Sequence, residues 1–506
     1  MKILNKIVIC ALSASFLIGG TSCNDFLYKD PEKTIDAETV DYNDLSQMYG
    51  CVSGCYAWLR QEGLHWAVYA MTIGRDDDVH PGSTGDDWTK FENYNYDNTL
   101  WFWNEPFSVL YFRLIKYCNK ALEDLEQFEV NCTTEADLAL NHQYQGEVRY
   151  MRAYSYFRLV QLFGPVPILY ENTQVDMHRR SVESVYAYAL EDLDYCINNM
   201  ERLRPNQMGD HMGAFTAFTA EMLAAKIHMN QGNYAEVYRL TKDIIDNGNF
   251  SLYPDYSELF KIPGKLCDES LMEIQTTDFG GGSADEIYSQ WFEFQGPANA
   301  AQPSGWGWIW PLQEFVDWAK DRGETVRYDN SFLFAGTTTK WGDVLREKQG
   351  AEYGIYNAKA YTPTSELNPG STKYGSNNNV RVFRYSDVLL MYAEACARGA
   401  GGTMSDAYKA VMQVRDRAGF DVDNTSDPYY ISEAEFSSKA VDFILDERRI
   451  ELCMEWGERF NDLVRTGTAV QVLTSKGFNY TEDQRYLPIP KAAIDINPEL
   501  AEPVVD

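Results

Sequence analysis

Three indoles recur at every second position in Trp306-Gly307-Trp308-Ile309-Trp310. In an extended segment a period of two places all three on one face, and Gly305 and Gly307 carry no bulk to obstruct it. A flat aromatic face complements the apolar C–H face of a pyranose, while neighbouring Asn, Asp, Glu or Gln can hydrogen-bond the hydroxyls. The same indoles would serve equally to anchor a loop on a scaffold, so both readings stand at this point. A second aromatic group, Trp88, Tyr94, Tyr96, Trp101 and Trp103, lies among Asn93, Asn95, Asn98 and Asn104. Its candidate ligand contacts are Trp88, Tyr96 and Trp101, whereas Trp103 and Phe107 lead into a helix and read as core.

Acidic residues are the other chemistry on offer. The run Asp76-Asp77-Asp78-Val79-His80, with Asp86 and Asp87, invites a metal reading. Pro81 stands where a calcium loop needs its sixth-position glycine, so a solvated loop or a set of hydroxyl acceptors is the expectation, with no metal and no cofactor. A glycoside hydrolase needs two carboxylates facing each other across a cleft, a pairing that counting acids cannot test. Nucleophile elbow, phosphate loop, zinc helix and dinucleotide fingerprint are all missing from the sequence, which argues for binding rather than catalysis. The 506 residues carry a formal charge of −31, which opposes nucleic acid and, without a local basic patch, strongly sulfated glycans.

These groups need elements to position them. Lys2 and Lys6, the apolar stretch Ile7 to Ile18, and Gly19-Gly20-Thr21-Ser22 before Cys23 form an export signal too short to span a bilayer. Removing the two lysines takes the charge from −31 to −33. Residues 1–22 therefore stand apart from a body divided, as an expectation, at 23–270 and 271–506. The body reads as mainly α, with amphipathic stretches at 41–60, 105–128, 135–162, 181–203, 215–229, 234–247, 385–398, 405–418 and 432–473, the last broken near Trp456-Gly457. A Gly-Asn turn followed by Tyr234-Ala235 joins two of these helices as a tetratricopeptide unit requires, and 398–408 repeats the layout. Two irregular zones, 66–99 and 278–380, interrupt the helices and are the expected working surface. Cys51, Cys55, Cys118, Cys132, Cys196, Cys267, Cys396 and Cys453 show no metal-ligand spacing and read as packing thiols.

Several longer motifs carry a resemblance. They are Ser22-Cys23-Asn24-Asp25-Phe26-Leu27, Arg149 to Pro167 (RYMRAYSYFRLVQLFGPVP), Ser251-Leu252-Tyr253-Pro254, Arg384 to Ala395 (RYSDVLLMYAEA), Glu447-Arg448-Arg449-Ile450-Glu451-Leu452 and Tyr486-Leu487-Pro488-Ile489-Pro490. In this order they resemble the SusD/RagB outer-membrane nutrient-binding lipoproteins over nearly the whole mature chain. Read physically, the motifs are scaffold: 149–163 is apolar on more than one face, and Arg448 and Glu451 stand three apart, spaced for a local ion pair on a helix.

The resemblance implies a SusD-like helical fold of tetratricopeptide-like pairs with long insertions carrying the ligand surface. It also implies lipidation at Cys23 and attachment to the outer membrane, exposed on the cell surface. The function it implies is capture of a glycan for a TonB-dependent, SusC-like transporter. Peptide capture, as in RagB-like relatives, is the alternative, and glycoside hydrolysis a more distant one.

Overall fold

The structure, a computed structural model, describes residues 40–63, 65–81, 86–276, 290–297, 305–345, 354–367 and 378–506. Cys23 lies outside the described residues. Among those residues no helix is long and apolar enough to cross a membrane.

The scaffold is a stack of helices in which the long ones between residues 116 and 417 each pack on the next along the chain. α1 (Met48–Gly63) is followed by α2 (Trp66–Ile73), α3 (Asp86–Glu92) and α4 (Lys116–Glu129), the last entered through a π-helical stretch at Ser108–Ile115. α5 (Glu135–Phe163) starts at a capping box, in which the Thr134 hydroxyl accepts from the Asp137 amide and the Asp137 carboxylate accepts from the Thr134 amide. It is buried over most of its length because α4 and α6 (Val182–Asn199) cover different faces. α7 (Ala217–Asn230) and α8 (Tyr234–Asn247) form the next pair, joined by the expected tight turn at 231–233. α9 (Tyr385–Ala397) and α10 (Met404–Arg417) form another, and α8 packs on α9 to continue the stack. The intervening chain supplies short strands in three antiparallel pairs. β1 (Val79–Pro81) pairs with β3 (Ile309–Pro311), β2 (Ser270–Ile274) with β6 (Val380–Arg384), and β4 (Phe332–Phe334) with β5 (Ile355–Asn357). One apolar core runs from α1 to the C-terminal segment, crossing residue 270 without a break.

Three expectations are corrected. The zone 66–99 is not wholly irregular, since it contains α2 and α3; the apolar run Trp66 to Ile73 is a buried helix. The expected helix over 432–473 is four segments, Glu433–Ser438, α11 (Ala440–Glu451), α12 (Glu458–Arg465) and Ala469–Ser475. The chain reverses into left-handed backbone at Gly457 (φ +74°), where a Cβ would stand 2.0 Å from the Thr72 carbonyl oxygen, so only glycine lets α2 and α12 meet. Finally, Arg448 and Glu451 do not pair with each other. Arg448 holds Asp387 (2.5 Å), Asp462 (2.8 Å) and Glu458 (3.1 Å), while Glu451 accepts from Arg384 (3.0 Å) and Arg327 (3.3 Å). The helix turns the two side chains into different networks, and both are buried. Burial opposes the charge on Glu451, but Arg417 and Arg384 win and hold it far below the usual carboxylate range.

The expected small-hydrophobe role of the cysteines holds geometrically: all eight are free thiols, and five are buried.

Candidate aromatic binding site

α2 begins at Trp66, whose helix is capped by the preceding His65 through an Ala67 amide hydrogen bond to Nδ1 (3.3 Å). From that position the Trp66 indole becomes a hub. Its ring centroid lies 5.5 Å from Trp101, 5.9 Å from Trp88 and Phe294, 6.1 Å from Trp308 and 6.4 Å from Trp306 and Phe102. These aromatics come from distant parts of the chain, and the backbone explains how they meet. β1 draws β3 alongside α2 and α3, with Val79 opposite Pro311 and the Leu312 amide donating to the Asp78 carbonyl (2.8 Å). The stretch before β3 is then tied to the short helix Gln290–Gln295 and its exit, as the Trp306 amide donates to Glu293 O (2.7 Å), Gly307 to Gly296 O (2.9 Å) and Trp308 to Phe294 O (3.0 Å).

The three-indole motif does not share a single face. Gly307 adopts φ +63°, which breaks the extended run, so Trp306 and Trp308 stay together (5.6 Å) in the Trp66 cluster. Trp310 instead sits in β3, stacks on His80 (5.5 Å), and is 5% exposed in a small cluster with Tyr356.

The second aromatic group is sorted by a 3-10 turn at Trp101–Trp103. The turn sends Trp103 and Phe102 into the core and leaves Trp101 61% exposed, the largest exposure of any big apolar side chain beside the cluster. Trp88 is 6% exposed and lies beneath, with its ring parallel to Phe102 (4.7 Å, 7°) and edge-on to Trp308 (4.8 Å). Tyr96 is half-buried and packs on Trp103 (5.7 Å) and Phe91 (6.0 Å). The outward surface of the cluster is therefore Trp101 together with the half-buried Trp66, Trp306 and Trp308. Trp66 was not among the candidates from sequence, because its helix reads simply as an apolar run; nothing local marks it as the centre. On this surface the polar border includes Glu105, near enough to favour protonation of His65, although burial dominates and pushes that imidazole below its ordinary value.

The acidic run at Asp76 to Asp78 is not a solvated loop. All three aspartates are buried, and Arg449 and Arg459 on α11 and α12 reach them. Arg459 Nε donates to Asp77 Oδ1 (2.8 Å) and Arg449 Nε to Asp78 Oδ2 (2.9 Å). Burial opposes the charge on Asp77, yet the hydrogen bond and charge of Arg459 keep it below the usual range; Asp76, facing both neighbours with less relief, is pushed well up by burial. The carboxylates thus lock β1, and with it the indole segment, onto the helical scaffold. Asp87 remains near solvent beside Lys90 (3.8 Å). Among the described residues the arrangement with metal-like geometry is Asp176, His178 and Glu499, where Arg180 already neutralises Asp176 (2.6 Å).

Comparison with known proteins gives the following. Residues 268–503 match a model described as the SusD family, and residues 25–229 match one described as starch-binding associating with outer membrane. A SusD-like protein of Formosa agariphila is 24% identical over 557 residues, covering 99% of this chain and 98% of the relative. One from Bacteroides ovatus is 23% identical, covering 96% of this chain and 86% of the relative. Among solved structures, a SusD homolog from Bacteroides thetaiotaomicron superposes with a TM-score of 0.76 at 20% identity, over 93% of this chain and 98% of that one. A laminarin-binding SusD-like protein gives 0.73 at 24% identity over 89% and 97%. The surface glycan-binding protein A of Bacteroides thetaiotaomicron, solved with laminarihexaose, gives 0.71 at 22% over 90% and 98%. The mainly helical fold is the one these proteins share.

Proposed function

Since the chain belongs to the SusD/RagB family, we propose that it is a non-catalytic, cell-surface glycan-binding lipoprotein that passes oligosaccharide to a TonB-dependent, SusC-like transporter. Cys23 is the proposed lipidation site, anchoring the chain in the outer membrane. The observation that carries the binding reading is the Trp66, Trp101, Trp306 and Trp308 surface. A protein gains nothing in stability from leaving most of a Trp in water at the edge of such a cluster, whereas a sugar ring laid on it removes apolar area from water on both partners. In this reading Trp101, Trp306 and Trp308 contact ligand, Trp88 and Tyr96 pack behind them, and Trp310 holds β3 in a separate cluster with Tyr356. The charge of −31 favours a neutral glycan on this face. Structural relatives described with laminarin and laminarihexaose make a neutral β-glucan the first probe.

Native gel retardation with laminarin, run beside assay of released sugar, tests the proposal. Retardation without product, weakened by Trp101→Ala and by Trp306→Ala, is expected. Sugar release at a catalytic rate would replace the binder with a hydrolase, and retention of oligopeptides with no response to a glycan panel would replace it with peptide capture.

A further inference from the structure

The polar edge of the indole surface is built on the start of α2, and one backbone hydrogen bond sets its chemistry. His65 precedes the helix in extended backbone (φ −86°, ψ 127°), and the Ala67 amide donates to its Nδ1 (3.3 Å). An imidazole nitrogen that accepts carries no proton, so the proton of the uncharged ring sits on Nε2 and makes that nitrogen a donor. Nε2 takes no partner among the described residues. The residue is half-buried, with its ring 5.7 Å from that of Trp66. The helix cap thus fixes the tautomer and restrains the ring at the rim of the site.

An acceptor comes to the same edge. The 3-10 turn that leaves Trp101 in solvent runs directly into the helix Asn104–Phe107, which packs on α2 and brings Glu105 with it. The half-buried Glu105 carboxylate meets no cation, amide or hydroxyl among the described residues, yet its charge reaches His65 and favours the imidazolium. Arg113, from the π-helical stretch, opposes it, and burial decides the outcome by holding His65 below its ordinary value. Of the other elements on α2, the helix Gln290–Gln295 carries one charge, the buried Glu293, and α12 meets α2 at its far end, by Thr72. A donor with its proton fixed and a free carboxylate nearby are what two neighbouring sugar hydroxyls require, one accepting and one donating.

We propose that His65 and Glu105 are the specificity-determining pair of the indole site: with a pyranose laid on Trp101, His65 Nε2–H donates to one ring hydroxyl and the Glu105 carboxylate accepts from its neighbour. This rests on the glycan-binding reading above and adds to it the class of sugar, an uncharged one with two adjacent free hydroxyls. An acidic sugar would set its carboxylate against Glu105. The pair also makes binding depend on protonation. An imidazolium carries a proton on Nδ1 as well, facing the Ala67 N–H at the positive end of α2. The cap is then lost, and Trp66, the first residue of that helix, is released.

The test is calorimetric titration of the full mature protein with laminarihexaose from about pH 8 down to about pH 5, with indole emission recorded over the same range. His65→Asn keeps a capping oxygen for α2 and removes the Nε2 donor. At neutral pH it should weaken binding about 3- to 10-fold, as loss of one hydrogen bond implies, and leave the emission unchanged. Wild-type affinity should hold steady near neutrality and fall only below 6.5, accompanied by a red shift in emission, and both changes should vanish in His65→Asn. Glu105→Ala should weaken binding about 10-fold and move the fall to lower pH, because the imidazole loses the charge that favours its protonation. Trp101→Ala should weaken binding at every pH and keep the acid fall, which separates platform from pair. Unchanged affinity in His65→Asn, or an acid fall that survives in it, would overturn the pair and leave the platform standing. If the wild type responds to no member of a neutral glycan panel, the platform reading fails and the pair with it.

Discussion

Trp101 and Trp310 offer a direct contrast, because both are candidate indoles yet one stands 61% exposed and the other 5%. A Trp side chain presents on the order of 250 Å². Leaving 61% of it in water at Trp101 puts roughly 150 Å² at a ligand's disposal, and a single sugar face covering half would withdraw about 75 Å². At ~25 cal/mol per Å² that contributes about 2 kcal/mol, or roughly a 30-fold change in Kd. Trp101→Ala should therefore weaken laminarihexaose binding by about that factor. Its effect on unfolding should be under half that of Trp310→Ala, whose truncation leaves a cavity and costs about 3–5 kcal/mol. Calorimetric binding and urea denaturation on both variants read the two quantities separately. If Trp310→Ala abolishes binding at unchanged stability, or Trp101→Ala costs stability and leaves binding intact, the assignment of exposed indole to ligand and buried indole to scaffold is refuted.

The buried Glu147 has its pKa pushed up by burial from 4.5 to about 7, against hydrogen bonds from Gln143 and Tyr56 that favour its charge. The folded state then holds this proton more tightly than the unfolded chain, so stability is gained on acidification from about 7 toward 4.5 and lost as pH rises through that window. Glu147→Gln should remove roughly 3 kcal/mol of that pH dependence, seen as a flatter profile of urea midpoints against pH. Arg448→Met leaves Asp387, Glu458 and Asp462 buried without their shared cation and should cost about 3–5 kcal/mol, read by the same denaturation. Gly457→Ala, which drives a Cβ toward the Thr72 carbonyl and forces a left-handed residue, should separate α2 from α12. It should lower Tm by several degrees and loosen Trp66, detectable as a red-shifted indole emission.

Where local signals sufficed, the scaffold was readable in advance. The helix at Tyr234–Asn247 matches its expected bounds, and Glu135–Phe163 does so within one residue, because helix periodicity and a capping threonine are local properties. The failures share a cause in distance along the chain. Asp76 to Asp78 looks solvated until Arg449 and Arg459 arrive from the far end, and Arg448 seems to have Glu451 as partner until Asp387 and Asp462 are beside it. For the candidate site, the aromatic surplus pointed to two separate loop groups, one holding Trp306 and Trp308 and the other Trp101; that the fold brings them around one ring, Trp66, carried no local mark. Period two placed Trp310 on the same face as its neighbours because the left-handed backbone at Gly307 was not visible in residue type alone.

The arginines bound inside the C-terminal half have a consequence for resistance to proteolysis. A trypsin-like protease needs an arginine side chain to enter its pocket and several residues of backbone to lie extended around it. Arg327, Arg384, Arg415 and Arg448 are buried, their guanidinium groups are held by carboxylates, and their backbones are fixed in helices or in β6. Cleavage there must await opening of the core, so its rate follows the equilibrium population of the opened state. The cations that tie distant segments together are thereby withdrawn as cutting sites, and the same ion pairs that hold the fold lengthen its lifetime against proteolysis.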